Sequence, residues 1–140
     1  MKKNNPLKNV GSILLVLAVA ALGYWYWDST KPGEYNNFAQ CLTDKGVKFY
    51  GAFWCSHCQA QKALFGKSKT LLPYVECSTA DTKGQTEICK SKDIKSYPTW
   101  SFQTATTTKT GVATTTESFE SGEKTIAQLA EKTGCENPKK

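Results

Sequence analysis

The chain has 140 residues, a length that allows about one domain. Its 18 basic residues are all lysines, against 12 acidic residues, and they are scattered among the acids, so the formal net charge of +6 does not indicate a nucleic-acid partner. Six cysteines are many for a chain this short, and they indicate disulfides or thiol chemistry.

The N-terminal segment is typical of a membrane anchor. Residues 10–27, VGSILLVLAVAALGYWYW, carry no charge, and as a helix they span roughly 27 Å at about 1.5 Å per residue, near the hydrocarbon thickness of a bilayer. Three lysines precede this segment and an aromatic cluster closes it, as expected at the two faces of a membrane. The lysines are expected to stay in the cytoplasm while the rest of the chain is exported to a periplasm or lumen.

Two other interpretations of this segment were weighed. The A-x-A triplet at Ala18 would suit a cleaved signal peptide, but cleavage there would leave the YWYW cluster on a soluble protein. A buried soluble helix would normally show a polar face. We therefore favour a single uncleaved transmembrane helix, with residues 1–9 as a basic cytoplasmic end, residues 28–36 as a linker and residues 37–140 as the exported domain.

The exported part alternates helical and strand patterns. The predicted elements are a helix at 37–45, a strand at 47–53, a helix at 58–65, a strand at 71–77, a helix at 85–92, strands at 99–103 and 114–120 and a helix at 124–132. The early alternation predicts a parallel strand pair, and the later hairpin, turning near 109–111, adds antiparallel strands. The fold class is therefore α/β, with a central mixed sheet flanked by helices.

Cys55 and Cys58 lie in the sequence WCSHC, where the first predicted strand passes into a helix. At this junction the helix N-terminus favours an anion, and the thiolate is the reactive form of cysteine. Cys55 is expected to attack a substrate, and Cys58, one helical turn further on, to resolve the mixed disulfide.

The two residues between the cysteines are expected to influence the reactivity of the Cys55–Cys58 pair. His57 can favour the Cys55 thiolate, which stabilises the reduced form and makes the disulfide a better oxidant. Ser56 is small and polar and keeps the surface open to a substrate.

Two structural alternatives compete with redox chemistry. A zinc site would need two further ligands, which Cys77 and Cys89 could supply in principle, but they do not form a second C-x-x-C. A purely structural bridge between Cys55 and Cys58 would close a very short loop and gain little stability. We expect no metal and no cofactor.

Tyr97 and Pro98 supply a second signal just before a predicted strand. A cis proline facing the cysteines would leave the preceding backbone free to pair with a substrate strand. The alternative is an ordinary proline at the start of a strand, and the W-C-x-x-C motif favours the first interpretation.

From residue 37 to residue 135 the chain resembles the thioredoxin superfamily, with a hydrophobic strand, WCSHC, a helix and YPT before a hairpin. The segments FAQCLTDKGVKFYGAFWCSHCQAQKALFG, LPYVECS and KSYPTW are similar to the thioredoxin-like domain attached to bacterial and plant vitamin K epoxide reductase homologues. In that family the domain shuttles disulfides between exported proteins and a quinone-linked membrane oxidase. Here one apolar segment stands in place of the four-helix membrane enzyme, so the resemblance implies a separately encoded membrane partner.

The resemblance also implies roles for single residues. Cys55 corresponds to the nucleophile, Cys58 to the resolving thiol and Pro98 to the cis proline, while Trp54 covers the flank of the disulfide and touches substrate. Thioredoxin has a buried acid six residues before the first cysteine, which helps to deprotonate the resolving thiol. Phe49 takes that position here, so Cys58 must exchange its proton with water or another group.

Four cysteines remain for disulfides. Cys77 and Cys89 flank a polar loop and are expected to close it, and in this fold Cys41 and Cys135 could approach each other. Four cysteines allow three pairings, and the sequence does not select among them. A second redox pair at Cys77 and Cys89 is the functional alternative.

Three functions follow from these interpretations. The leading one is a membrane-anchored oxidoreductase that exchanges disulfides with cysteine-containing exported proteins and is recharged by a membrane oxidase. The second is a tethered disulfide reductase or isomerase, and the third is a binding module that uses the same surface without turnover. The direction of electron flow is left open by the sequence.

Overall fold

The computed structural model describes residues 6–107 and 113–138. Contacts divide the chain into two units, residues 1–32 and residues 33–140, and each is described by itself. The turn predicted near 109–111 lies outside the described residues.

The first unit is one long helix, α1 (Pro6–Thr30). Its part Val10–Thr30 is long and apolar enough to cross a membrane, as a signal sequence also would be. The helix runs past residue 27 to Thr30, and the hydroxyl groups of Ser29 and Thr30 each donate to a backbone carbonyl three residues earlier. The first residues of the predicted linker at 28–36 are therefore helical.

The second unit contains a four-stranded sheet and short helices. Its elements are α2 (Asn36–Asp44), β1 (Lys48–Gly51), α3 (Ser56–Ala63), a 3-10 helix (Gly66–Leu71), β2 (Tyr74–Glu76), α4 (Glu87–Ser91), β3 (Thr99–Thr107), β4 (Ala113–Ser121) and α5 (Ile126–Thr133). The strand order is β2-β1-β3-β4, with β1 parallel to β2 and the other neighbours antiparallel. This arrangement confirms the predicted α/β fold with a mixed sheet.

The centre of the sheet carries the core. Phe49 on β1 pairs with Tyr74 on one side and Trp100 on the other, and its ring stacks on Trp100 with centroids 4.6 Å apart. Leu42 from α2 and Leu129 from α5 belong to the same fully buried cluster. Burial of each of these large side chains contributes about 2 kcal/mol to the free energy of unfolding. This packing holds β1 in place, and with it the start of the chain that follows β1.

Three element boundaries differ from the sequence prediction for physical reasons. The strand predicted at 71–77 is limited to Tyr74–Glu76, since Leu71 ends the 3-10 helix and Pro73 has no N–H to donate. The last helix starts after Thr125, which caps it in a reciprocal capping box with Gln128. The hairpin strands are longer than predicted because the threonine-rich stretch continues their pairing from Thr99 to Thr107.

Two disulfides are present, Cys41–Cys135 and Cys77–Cys89. The first joins α2 to the chain just after α5, and the second closes the loop between β2 and α4. These are the two pairs that the sequence analysis favoured. Both Cys77 and Cys89 are fully buried, so their disulfide is shielded from a protein substrate.

Gly51 ends β1 where the chain passes closest to the cysteine pair. A β-carbon at this position would lie 2.8 Å from Cys58 Sγ and 2.9 Å from Cε2 of Tyr74, both closer than carbon atoms normally approach. We expect Gly51→Ala to lower the free energy of unfolding by about 1–3 kcal/mol through overpacking. Urea unfolding of the full chain in a non-ionic detergent measures this.

Gly84→Ala is the matched control, because its β-carbon would come no nearer than 3.3 Å to the side chain of Thr79. If the Gly51→Ala protein were as stable as the Gly84→Ala protein, Cys58 and Tyr74 would not fill the space beside Gly51.

Candidate active site

Cys55 occupies the N-cap of α3, directly after the turn that leaves β1. Its N–H donates to the carbonyl of Ala52, and its sulfur accepts a hydrogen bond of 3.3 Å from the N–H of Cys58. The first-turn amide of a helix thus points at Cys55 Sγ, which favours a negative charge on that sulfur. The helix begins two residues before the predicted start at 58, and Cys55 caps it as the sequence analysis expected.

The two sulfurs are unbonded and differ in accessibility. Cys55 is 7% exposed while Cys58 is completely buried, so only Cys55 can meet a protein substrate. Burial, followed by the hydrogen bond to Cys55, raises the pKa of Cys58 to about 12. Cys58 is therefore a neutral thiol at physiological pH, and it must lose its proton before it can resolve a mixed disulfide.

The loop before β3 faces the cysteine pair. The peptide bond between Tyr97 and Pro98 is cis, and the Cys55 thiol donates to the Tyr97 carbonyl at 3.8 Å. A shallow cleft over Cys55 is lined by Trp54, Ser56, His57 and Tyr97. The structure thus brings together the residues that the sequence analysis assigned to catalysis and substrate binding.

Trp54 forms one wall of this cleft. Its indole N–H donates to Ser78 Oγ at 2.8 Å, and its ring meets the Tyr97 ring edge-on with centroids 6.1 Å apart. The side chain remains 55% exposed. It is therefore held in one orientation while presenting an apolar face beside Cys55. Trp100 is fully buried in the core cluster that also contains Cys55 and Cys58.

His57 pairs with an acidic side chain from another part of the domain. Its Nδ1 lies 2.6 Å from Glu123 Oε1, and no hydrogen bond to Cys55 is found among the described residues. The imidazole is on the exposed side of α3, and Glu123 reaches it from the segment between β4 and α5. The sequence analysis missed Glu123 because the two residues are 66 positions apart and no local motif links them. Any effect of His57 on Cys55 must act through space.

We expect His57→Ala to lower the reduction potential of the Cys55–Cys58 couple by about 30 mV, a tenfold change in equilibrium constant. The substitution removes a group that can carry a positive charge near Cys55, so the thiolate of the reduced state is stabilised less. Equilibration with glutathione buffers and alkylation measures the potential. Lys92→Ala removes a charge that pairs with Glu117 on the hairpin and serves as the control. Equal potentials for the two variants would contradict a role for His57.

Lys62 and Tyr74, which the sequence analysis did not select, lie near the buried sulfur of Cys58, and Glu76 accepts a hydrogen bond from the Tyr74 hydroxyl. Lys62 is one turn further along α3, and Tyr74 and Glu76 are on β2. Phe49, which replaces the buried acid of thioredoxin, packs on Tyr74 at 5.3 Å and offers no proton acceptor. The spacing of four residues between Cys58 and Lys62 was the available sequence signal, since such residues share a helix face.

Among residues 6–107 and 113–138, no group of three or more His, Cys, Asp or Glu side chains is arranged so that it could hold a metal ion. Cys77 and Cys89, the ligands that a zinc site would have required, are bonded to each other.

Comparisons with known proteins agree with this geometry. Residues 30–130 match the sequence model of the family described as Thioredoxin. Over 100 residues, or 69% of the chain, the sequence is 39% identical to the thiol-disulfide oxidoreductase LTO1 of Arabidopsis thaliana. The match covers 23% of that relative, so the chain spans about a quarter of the protein it resembles.

Proposed function

Because this chain belongs to the thioredoxin family, we propose that it exchanges disulfides with cysteine-containing exported proteins through Cys55 and Cys58. The observation that carries the proposal is the pairing of a helix-capping thiol at the surface with a fully buried thiol one turn away. The printed name of the Arabidopsis relative, a thiol-disulfide oxidoreductase, supports the same reaction type.

In the oxidising direction, a client thiolate attacks Cys55 Sγ of the Cys55–Cys58 disulfide. A bond forms between the client sulfur and Cys55, the bond between the two cysteines breaks, and its electron pair leaves on Cys58. A second client thiolate then attacks the first client sulfur, and Cys55 leaves as a thiolate at the helix N-terminus. The client gains a disulfide and loses two electrons, which the protein retains as two thiols.

We also propose that the protein is tethered to a membrane and that its thioredoxin domain lies on the extracytoplasmic side. The apolar helix Val10–Thr30 and the lysines before it support this orientation. The resemblance to the domain of vitamin K epoxide reductase homologues supports recharging by a quinone-linked membrane oxidase. A protease added to spheroplasts, in which the periplasmic face of the inner membrane is exposed, should then remove the domain, and spheroplasts that protect it would contradict the orientation.

A tethered reductase or isomerase is the second candidate, and one observation favours it. Glu123 lies 2.6 Å from His57, so a carboxylate beside the imidazole offsets the stabilisation that His57 could give the Cys55 thiolate. A less stabilised thiolate makes the disulfide a weaker oxidant.

The proposal is tested by mixing the oxidised full chain, in detergent, with a reduced unfolded secreted protein that has two cysteines. We expect one client disulfide to form for each Cys55–Cys58 disulfide consumed, as counted by alkylation and mass spectrometry. Cys55→Ala is the control and should transfer none. Transfer by Cys55→Ala at the wild-type rate would rule out this site, and no transfer by either protein would overturn the oxidising direction and leave the reductase and binding functions.

A further inference from the structure

Cys58 must lose its proton to react, so its thiolate needs a nearby group that stabilises the negative charge. The structure places a candidate for this role close to Cys58. Its sulfur is buried beneath α3, with its pKa raised to about 12, and Phe49 fills the place of the acid found in thioredoxin. In both directions of exchange a thiolate forms on Cys58, since it either leaves from the disulfide or attacks the mixed disulfide. A buried anion of this kind is costly unless a positive charge lies close.

We propose that Lys62 stabilises the Cys58 thiolate, and that Tyr74 and Glu76 hold its ammonium group in place for this purpose. The inference rests on the proposed function, because it concerns the resolving step of the same exchange. Lys62 is a positioning residue in this account, acting on Cys58 by its charge while the proton comes from and returns to water.

The position of Lys62 follows from the helix. It is four residues after Cys58 on α3, so both side chains lie on the same face. Its Nζ sits 3.3 Å from the centroid of the Tyr74 ring, a cation–π contact. The same ring borders the space above Gly51, where a β-carbon would lie 2.9 Å from the ring and 2.8 Å from Cys58 Sγ. The Tyr74 ring therefore connects the ammonium to the neighbourhood of the sulfur.

Glu76 fixes this ring. The Tyr74 hydroxyl donates to Glu76 Oε2 at 2.8 Å, and Glu76 Oε1 accepts the backbone N–H groups of Phe53 at 3.2 Å and Ser78 at 2.9 Å. The two oxygens of this carboxylate thus accept three hydrogen bonds, which hold the Tyr74 ring and the adjacent loops in place. The ammonium group of Lys62 is then the positive charge that can stabilise a thiolate on Cys58.

The electrostatic effects agree with this geometry. Burial lowers the pKa of Lys62, while the negative charges of Glu76 and a Cys58 thiolate raise it. The charge of Lys62 in turn lowers the pKa of Cys58 against the larger effects of burial and of Cys55. The titratable groups that face this pair are Cys55 on α3, Tyr74 and Glu76 on β2, and Lys69 on the 3-10 helix.

The test follows the resolving step directly in the full chain, kept in a non-ionic detergent. The reduced protein is mixed rapidly with an aromatic dithiobis(nitrobenzoate) reagent, which releases one coloured thiolate when Cys55 attacks. A second is released when Cys58 attacks Cys55 Sγ, which forms the Cys55–Cys58 bond and breaks the bond between Cys55 and the reagent. The rate of the second release is measured against pH.

We expect Lys62→Met to slow the second release about tenfold at neutral pH and to shift its pH midpoint upward by about one unit. Lys62→Arg keeps the charge and should stay within about twofold of the wild type. Lys69→Met removes a charge from an exposed lysine nearby and is the matched control, expected to be unchanged. The first release should be the same in all four proteins.

Two outcomes would overturn the inference alone: a second release in Lys62→Met as fast as in the wild type, or one in Lys62→Arg as slow as in Lys62→Met. The second outcome would mean that packing on Tyr74, and not charge, is what Lys62 contributes. A wild-type protein that releases only one thiolate would overturn both the inference and the proposed function, so the two failures are distinguishable.

Discussion

A full-length protein with Cys58→Ser is expected to accumulate as mixed disulfides with its clients. Cys55 keeps its place at the N-cap of α3 and can still attack a client disulfide, the reverse of the proposed oxidation, but the buried partner that would then displace the client is gone. Turnover should fall on the order of a thousandfold, while covalent adducts rise. Non-reducing gels of membranes from cells that express the variant would show the adducts as bands that reductant removes.

Cys55→Ser is the control that separates the two thiols. Cys58 is completely buried, so it should form almost no adducts when it is the sole free thiol. Adducts at equal levels in both variants would mean that Cys58 is accessible and that the assignment of attacking and resolving roles is wrong.

Loss of the Cys41–Cys135 disulfide should produce the largest drop in stability. Its cysteines are 94 positions apart, so the bond restrains most of the unfolded domain, and Cys41→Ala/Cys135→Ala should lower the free energy of unfolding by about 4–5 kcal/mol. The bond also holds α2 to the end of α5. Urea unfolding in non-reducing buffer, monitored by tryptophan fluorescence, measures the change.

Cys77→Ala/Cys89→Ala provides the comparison. Its cysteines are only 12 positions apart, and the expected cost is about 3 kcal/mol. A greater loss from this pair than from Cys41 and Cys135 would contradict the account based on loop length. Client oxidation by either variant that is still folded should continue, because neither bond touches the cleft over Cys55.

The fold could be predicted from sequence because its signals are local. The aromatic strand around Phe49 and the helix after Cys55 each depend on signals within a few residues. Element boundaries were less predictable where a single residue decides them. Pro73 shortens β2 by withholding a donor, and Thr125 moves the start of the last helix by capping it.

For the active site, the sequence predicted only the residues that belong to motifs along the chain. The order of Cys55, Cys58 and Pro98 carries the resemblance, but side chains that arrive from other elements leave no pattern. Glu123 meets His57 across 66 positions, and Tyr74 comes beside Cys58 because β2 lies beside β1. These tertiary contacts change the interpretation, since they restrain His57 and surround Cys58 with groups that no motif includes.

The reduction potential of the Cys55–Cys58 couple is the measurement that tests the proposed direction of exchange most directly. The protein is equilibrated in glutathione buffers, its thiols are trapped with an alkylating reagent, and the oxidised fraction is counted. A potential well above the roughly −270 mV of thioredoxin, toward the −120 mV of a strong oxidant, is the result that we predict for an oxidase recharged from a membrane. A potential at or below that of thioredoxin would contradict it and make the protein a tethered reductase.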